Sequence, residues 1–342
     1  MPRLWRRPPV FEILSARPVR VGGLAATRYR LRRPHPYTGH AETDRALSTS
    51  DALVVPPTDR REDAPAVTLL NGITKPLQHS APVAVALAKA GLGAVLLDTP
   101  LGGVRKPGGG GSPGAAMAAF ARDGVVMDGP LAGRLLDGVA GDLAALFALA
   151  EAEHGLGRRR RALFGVSFGC LLSSFAFGRD RLGDRLLGAI GHPDLPAMAR
   201  GLIGTFALAT GVPAGAVSGG LRLGPLAEAA ARRFGGNAAV GGLRFARMLE
   251  GLGRGGKSTQ AFNPLRWAAG DERPVAFLAG ERDPVAPPEA VREAAAAYPA
   301  SSVEVVPALG HGWYRGGRPP GAPTFEAACA AFALRHLADW TA

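Results

Sequence analysis

Ala162-Leu163-Phe164-Gly165-Val166-Ser167-Phe168-Gly169-Cys170-Leu171 is the stretch on which the reading of this chain turns. A short apolar run ends in Gly-x-Ser-x-Gly, and a second apolar run, Cys170 to Phe177, follows at once. That pattern predicts a buried strand, a very tight turn and a buried helix, with the serine at the corner. The residues flanking the serine must be small where the chain doubles back, and glycine accepts that geometry without a clash. Spacing alone is weak support, because a chain with 48 glycines produces such pentapeptides by chance. The weight comes from what lies around it.

Upstream, Leu131 to Glu153 carries apolar residues at helical spacing (Leu135, Val139, Leu143, Leu146, Leu149) and reads as a long amphipathic helix. Before it stand two buried-strand signals. Ala66-Val67-Thr68-Leu69-Leu70 ends at Asn71-Gly72-Ile73-Thr74, and Ala94-Val95-Leu96-Leu97-Asp98 ends at Thr99-Pro100. A helix over Val83–Ala90, stopped by Gly91, separates them. Strand and helix in alternation predict a mostly parallel sheet wrapped by helices on both faces. Residues 9 to 33 alternate weakly around Gly22-Gly23 and read as an antiparallel hairpin, and Ala52–Val55 as another edge strand. Downstream, Leu186–Ile190, Pro274–Ala279 and Val303–Val306 are strand candidates, Pro288–Ala297 a helix, and Phe325–Trp340 a closing helix.

Composition sets outer bounds. Hydrophobic residues make up 47% of the 342 and charged residues 20%, ordinary for a chain with a sizeable core. The net charge of +12 comes with arginines spread along the chain, the one dense run being Arg158–Arg161, so nucleic-acid binding is not expected. Two cysteines, Cys170 and Cys329, make neither a disulfide framework nor a metal cluster. No cofactor or metal is expected, and Pro107–Gly114 reads as a loop rather than a phosphate cradle, since no Gly-Lys-Ser/Thr follows it. The N-terminus lacks the apolar core of a secretory signal, which predicts a cytoplasmic protein. Gly201 to Leu221 is uncharged, but six glycines and Pro213 make it a poor span. It leaves peripheral membrane contact as a weaker idea.

Two residues stand just past downstream strands: Asp283 in Gly280-Glu281-Arg282-Asp283-Pro284, and His311 in Gly310-His311-Gly312. Loops at the carboxyl ends of parallel strands are where open α/β sheets build their sites. With these motifs in the order Ser, Asp, His, the chain resembles the α/β-hydrolase superfamily over roughly residues 65 to 340. The resemblance implies a nucleophile elbow at Ser167, with His311 as general base and Asp283 orienting the imidazole. It also implies an oxyanion hole from the backbone N–H groups of Phe168 and Ile73. Many members have His-Gly where this chain has Asn71-Gly72. Such a site implies a serine hydrolase acting on a small carboxylic ester or thioester with an apolar acyl group. Acyl transfer, lyase chemistry or ligand binding without turnover are the alternatives.

Other residues compete for these roles. Glu281 or Asp98 is an alternative acid, although Asp98 reads better as a loop cap. His79 and His192 also fall near strand ends and read as structural or pocket-lining. Met127, Met198 and Met248 read as packing.

Length supplies a domain plan. Ser167 and Asp283 are 116 residues apart, whereas two strand-helix-strand crossovers need roughly 60. The surplus coincides with the strandless helical patterns near Ala197–Leu208, Pro225–Phe234 and Ala238–Leu252. Residues 194–265 are therefore expected to form a cap, 65–193 and 266–342 the core, and 1–64 edge strands and linker.

Overall fold

The apolar runs become the inner strands of a single mixed sheet. The structure, a computed structural model, describes residues 10–59, 63–73, 75–106, 129–201, 260–312 and 317–341. The sheet has nine strands: β1 (Glu12–Val21), β2 (Leu24–Arg32), β3 (Thr49–Val55), β4 (Ala66–Leu70), β5 (Gly93–Leu97), β6 (Arg161–Val166), β7 (Arg185–Ala189), β8 (Val275–Gly280) and β9 (Ser301–Val306). Their spatial order is β1-β2-β3-β5-β4-β6-β7-β8-β9. From β5 to β9 every pairing is parallel, and β1 to β3 join as an antiparallel extension ending on β5. The expected architecture, mostly parallel with helices on both faces, is the one observed.

Burial on both faces explains why the central strands are continuous apolar runs. Every residue of β4, β5 and β8 is buried, and alternate side chains feed two separate cores. Val95, Leu97 and Leu163 pack with α3 (Gly129–His154), α4 (Phe168–Asp180) and α5 (Pro288–Ala295). Ala94, Leu96 and Phe164 pack on the other face with α2 (Ala81–Lys89) and α6 (Phe325–His336). Thr324 caps α6 by accepting the Ala327 N–H at 3.1 Å.

Three local readings are corrected. Ala52–Val55 is an inner strand between β2 and β5, and the edge on that side of the sheet is the exposed β1. That edge carries Pro18 and a register shift between Ile13 and Ser15, features that discourage pairing with another chain. A short helix, α1 (Ala41–Ser48), occupies a stretch that reads as polar loop. The closing helix breaks at Leu337, and α7 (Ala338–Thr341) continues from it. The cap segment begins as a helix over 195–201, but most of it, like the loop at 107–114, lies outside the described residues.

The N-terminal strands are bound to the core by buried charge. Asp142 on α3 pairs with Arg33 Nε at 2.5 Å and with Arg105 Nη1 at 2.7 Å. Arg105 is 1% exposed and also donates to the Tyr37 hydroxyl at 2.7 Å and to the Leu47 carbonyl at 2.7 Å. Each nitrogen of this buried guanidinium meets an acceptor, as an ion taken out of water requires.

Candidate active site

The strand order reverses direction around β4: the chain steps first to β5 and then back across to β6. Crevices at the carboxyl ends of strands flanking such a reversal are where α/β sheets hold ligands. Here those ends are Asn71-Gly72-Ile73 after β4 and Ser167 after β6.

Ser167 sits at φ 54°, ψ −119°, the left-handed side of backbone space that serine rarely adopts. The conformation is enforced by close packing. A β-carbon at Gly165 would collide with the Gly169 carbonyl, and one at Gly169 with the Leu70 carbonyl. One at Gly191 would lie 2.7 Å from the Ser167 carbonyl oxygen. The Ser167 N–H donates to Ala189 at 2.8 Å, tying the corner to β7. Strain of this kind costs about 1–3 kcal/mol and persists where surrounding structure over-determines it.

The Ser167 hydroxyl lies 2.7 Å from His311 Nε2. On the far side of the ring, His311 Nδ1 lies 3.0 and 3.1 Å from the two oxygens of Asp283. A carboxylate has only acceptors, so Nδ1 carries the proton and Nε2 accepts from Ser167. The Asp283 side chain is fully buried, and its Oδ1 also receives the Val285 N–H at 2.8 Å and the Ala286 N–H at 3.1 Å. The two loops are laced together at their base, where the Arg282 N–H donates to Leu309 at 2.8 Å. Three side chains far apart in the chain thus form one line.

Facing that line, α4 starts at Phe168 with its first N–H groups directed toward the corner, the end of a helix where anions are stabilised. Gly72 is so close that a β-carbon there would stand 3.2 Å from Ser167 Cβ. Its neighbour Ile73 packs its side chain against Tyr37, Leu47, Leu101, Leu131 and Leu135.

The rival residues are engaged elsewhere. Glu281 accepts the Ala308 N–H at 2.7 Å. Asp98 accepts the Leu77 N–H at 3.3 Å and the Val104 N–H at 3.0 Å, the loop-cap role, and burial raises its pKa. His192 is fully buried, and burial lowers its pKa from 6.5 to about 4. Cys170 and Met198 are core residues, and burial pushes the Cys170 thiol up to about 12; Met127 and Met248 lie outside the described residues. His79 does reach the site, lining a cavity of about 310 Å³ with Ser167, His311, Ile190 and Cys329. Among the described residues no three His, Cys, Asp or Glu side chains gather so as to hold a metal ion. Nor is any described helix long and apolar enough to cross a membrane.

Sequence reasoning missed Ile190 and Cys329. Ile190 holds φ 44°, a genuine outlier for a β-branched residue, and its side chain forms a wall of the cavity. No local signal in the sequence marks either.

No protein-family model and no curated protein sequence matches the chain. Solved structures do match in fold. Acetyl xylan esterase 1 from Thermoanaerobacterium sp. JW/SL YS485 aligns over 98% of this chain and 89% of its own, at TM-score 0.55 and 15% identity. The esterase Est2 of the Planctomycetes species Thermogutta terrifontis, in its propionate-bound form, aligns over 97% and 94%, at TM-score 0.53 and 13% identity. The chain has the α/β-hydrolase fold. A puromycin-hydrolysing peptidase of Mycobacterium tuberculosis shares this hydrolase fold over 95% of the present chain and 39% of its own, at TM-score 0.53 and 18% identity. Within the α/β-hydrolase fold, Ser167, Asp283 and His311 all stand at the carboxyl rim of the sheet.

Proposed function

We propose that this chain is a serine hydrolase that cleaves a carboxylic ester or thioester through an acyl-enzyme. The observation that carries the reading is the continuous contact from Ser167 through His311 to Asp283. Similarity in fold to esterases accords with it.

A serine hydroxyl is a poor nucleophile at neutral pH unless a base takes its proton. Ser167 Oγ attacks the ester carbonyl carbon while its proton passes to His311 Nε2. Asp283 holds the imidazole in the required tautomer and stabilises the imidazolium. The carbonyl oxygen, now an oxyanion, is received by the N–H groups of Phe168 and Ile73, each such donor contributing about 3 kcal/mol in the transition state. Collapse breaks the bond to the leaving oxygen or sulfur, which takes the proton from His311. Water then attacks the acyl-enzyme with the same base and frees the acid and Ser167. Neither metal nor cofactor enters this sequence.

The substrate is a small molecule with an apolar acyl group, in keeping with the largely apolar cavity beside Ser167. Two unpaired, buried cysteines accord with a cytoplasmic setting. A fluorophosphonate probe should label the protein at Ser167. Ser167→Ala should abolish labelling and lower turnover by up to about a millionfold; a fully active alanine variant would rule the mechanism out.

A further inference from the structure

The cavity beside Ser167 has a direction. Lys75 and His79 stand exposed at its mouth, Phe325 and Glu326 are half-buried, and Ser80, Val83 and Cys329 are buried at its inner end. Those inner residues belong to the facing ends of α2 and α6, which pack against each other within one core. The inner end is therefore closed by helix-on-helix packing rather than by a loop. Its polar atoms are already spent, since the Ser80 hydroxyl bonds the Asn71 side chain, which also bonds the Pro76 carbonyl. Cys329 is 1% exposed, and burial raises its thiol pKa, so the group at the floor is a neutral S–H. What remains free to meet a ligand there is apolar: Ile73, Val83, Val166, Ile190 and Cys329.

Size then limits the occupant. A volume of about 310 Å³ lies at the low end of ligand pockets and holds about ten water-sized groups at roughly 30 Å³ each. The ester group itself takes about three of these places, which leaves room for a chain of about six carbons. The pocket walls on the sheet side cannot yield easily. Ile190 is held at positive φ with its N–H bonded to Leu278 at 2.7 Å, and its Cδ1 lies 3.4 Å from where a β-carbon on Gly312 would stand.

We infer that this cavity is a chain-length filter, closed at its floor by Cys329, that restricts the enzyme to esters bearing one short apolar chain of about six carbons or fewer. The inference rests on the serine-hydrolase reading above and adds the substrate class to it. A chain on the acyl side or on the alcohol side would satisfy the same apolar walls, and two substrate series separate the two sources.

The test uses the full chain with p-nitrophenyl esters from acetyl to lauroyl, and acetate esters from methyl to octyl. In one series kcat/KM should hold up to about six carbons and then drop about tenfold or more for each methylene that no longer fits. Cys329→Leu should move the break to shorter chains, and Cys329→Ala to longer ones. Val83→Phe should shorten it from the opposite wall and serves if Cys329→Leu does not fold. Fluorophosphonate labelling of Ser167 reports an intact site in each variant. Undiminished cleavage through the longest member of both series, or a break that no folded variant moves, would overturn the filter. If no ester is cleaved and Ser167 takes no label, the hydrolase reading itself falls.

Discussion

The Ser80 hydroxyl donates to the side-chain oxygen of Asn71, and the same amide donates to the Pro76 carbonyl at 2.9 Å. A carbonyl oxygen can only accept, so the Pro76 contact fixes which end of the amide is nitrogen. Asn71 thereby ties the end of β4 to the start of α2 across the turn that carries Ile73. The amide acts as a strut across that turn.

That strut makes a prediction about rate rather than binding. Asn71→Ala should lower kcat about tenfold or more with KM little changed, because a donor set slightly wrong loses much of its transition-state value. Ser80→Ala should fall in the same direction, and the double variant should be no worse than Asn71→Ala. Steady-state kinetics of the three variants would check it. Additive losses would mean that Asn71 acts on its own.

Gly72 and Gly169 should fail in different ways. A β-carbon on Gly72 presses on the Ser167 side chain, 3.2 Å from Cβ and 3.5 Å from Oγ, and makes only ordinary contact with the Val166 carbonyl at 3.7 Å. Gly72→Ala is therefore expected to fold and melt near the native temperature while losing about a hundredfold in kcat. A β-carbon on Gly169 meets the backbone of β4, which has nowhere to go. Gly169→Ala should yield little folded protein, as read by circular dichroism.

His192 predicts an acid limb in stability. Its ring is buried beside Asp194, Asp283 and Arg200, and its Nδ1 accepts the Asp194 N–H at 3.2 Å. Burial holds its folded pKa near 4, below its ordinary 6.5. An unfolded chain therefore takes up this proton first. The stabilisation is complete above about pH 6.5 and is lost as pH falls toward about 4, a change of about 3 kcal/mol for this one group. Denaturant midpoints should show a shallower decline over that interval in His192→Gln than in the native protein.

How much of this was legible in the sequence depends on where each feature's causes lie. β4, β5, β6 and β8 announce themselves because burial on both faces makes them almost continuously apolar, with Thr68 inside β4 and Arg161 at the start of β6 the exceptions. Ser167, Asp283 and His311 were legible because each closes a strand with a turn motif. The inner placement of β3 was not, because its antiparallel partner β5 is set by contacts some forty residues away, such as Val54 against Val95. α1 was hidden by its polar composition. The floor of the cavity was hidden too, since Val83 and Cys329 meet only when α2 and α6 pack.

The paired arginines on Asp142 set where a self-sufficient fragment of this protein can begin. Cutting away the leading strands through Arg33 would remove one of two guanidinium groups from a carboxylate sealed inside the molecule, a loss of up to about 3–5 kcal/mol, the cost of a fully broken buried pair. Much of a typical domain's margin would go with it. For grafting, swapping or expressing the part that carries Ser167, Asp283 and His311 alone, the seam therefore lies upstream of the hairpin, not at the first parallel strand.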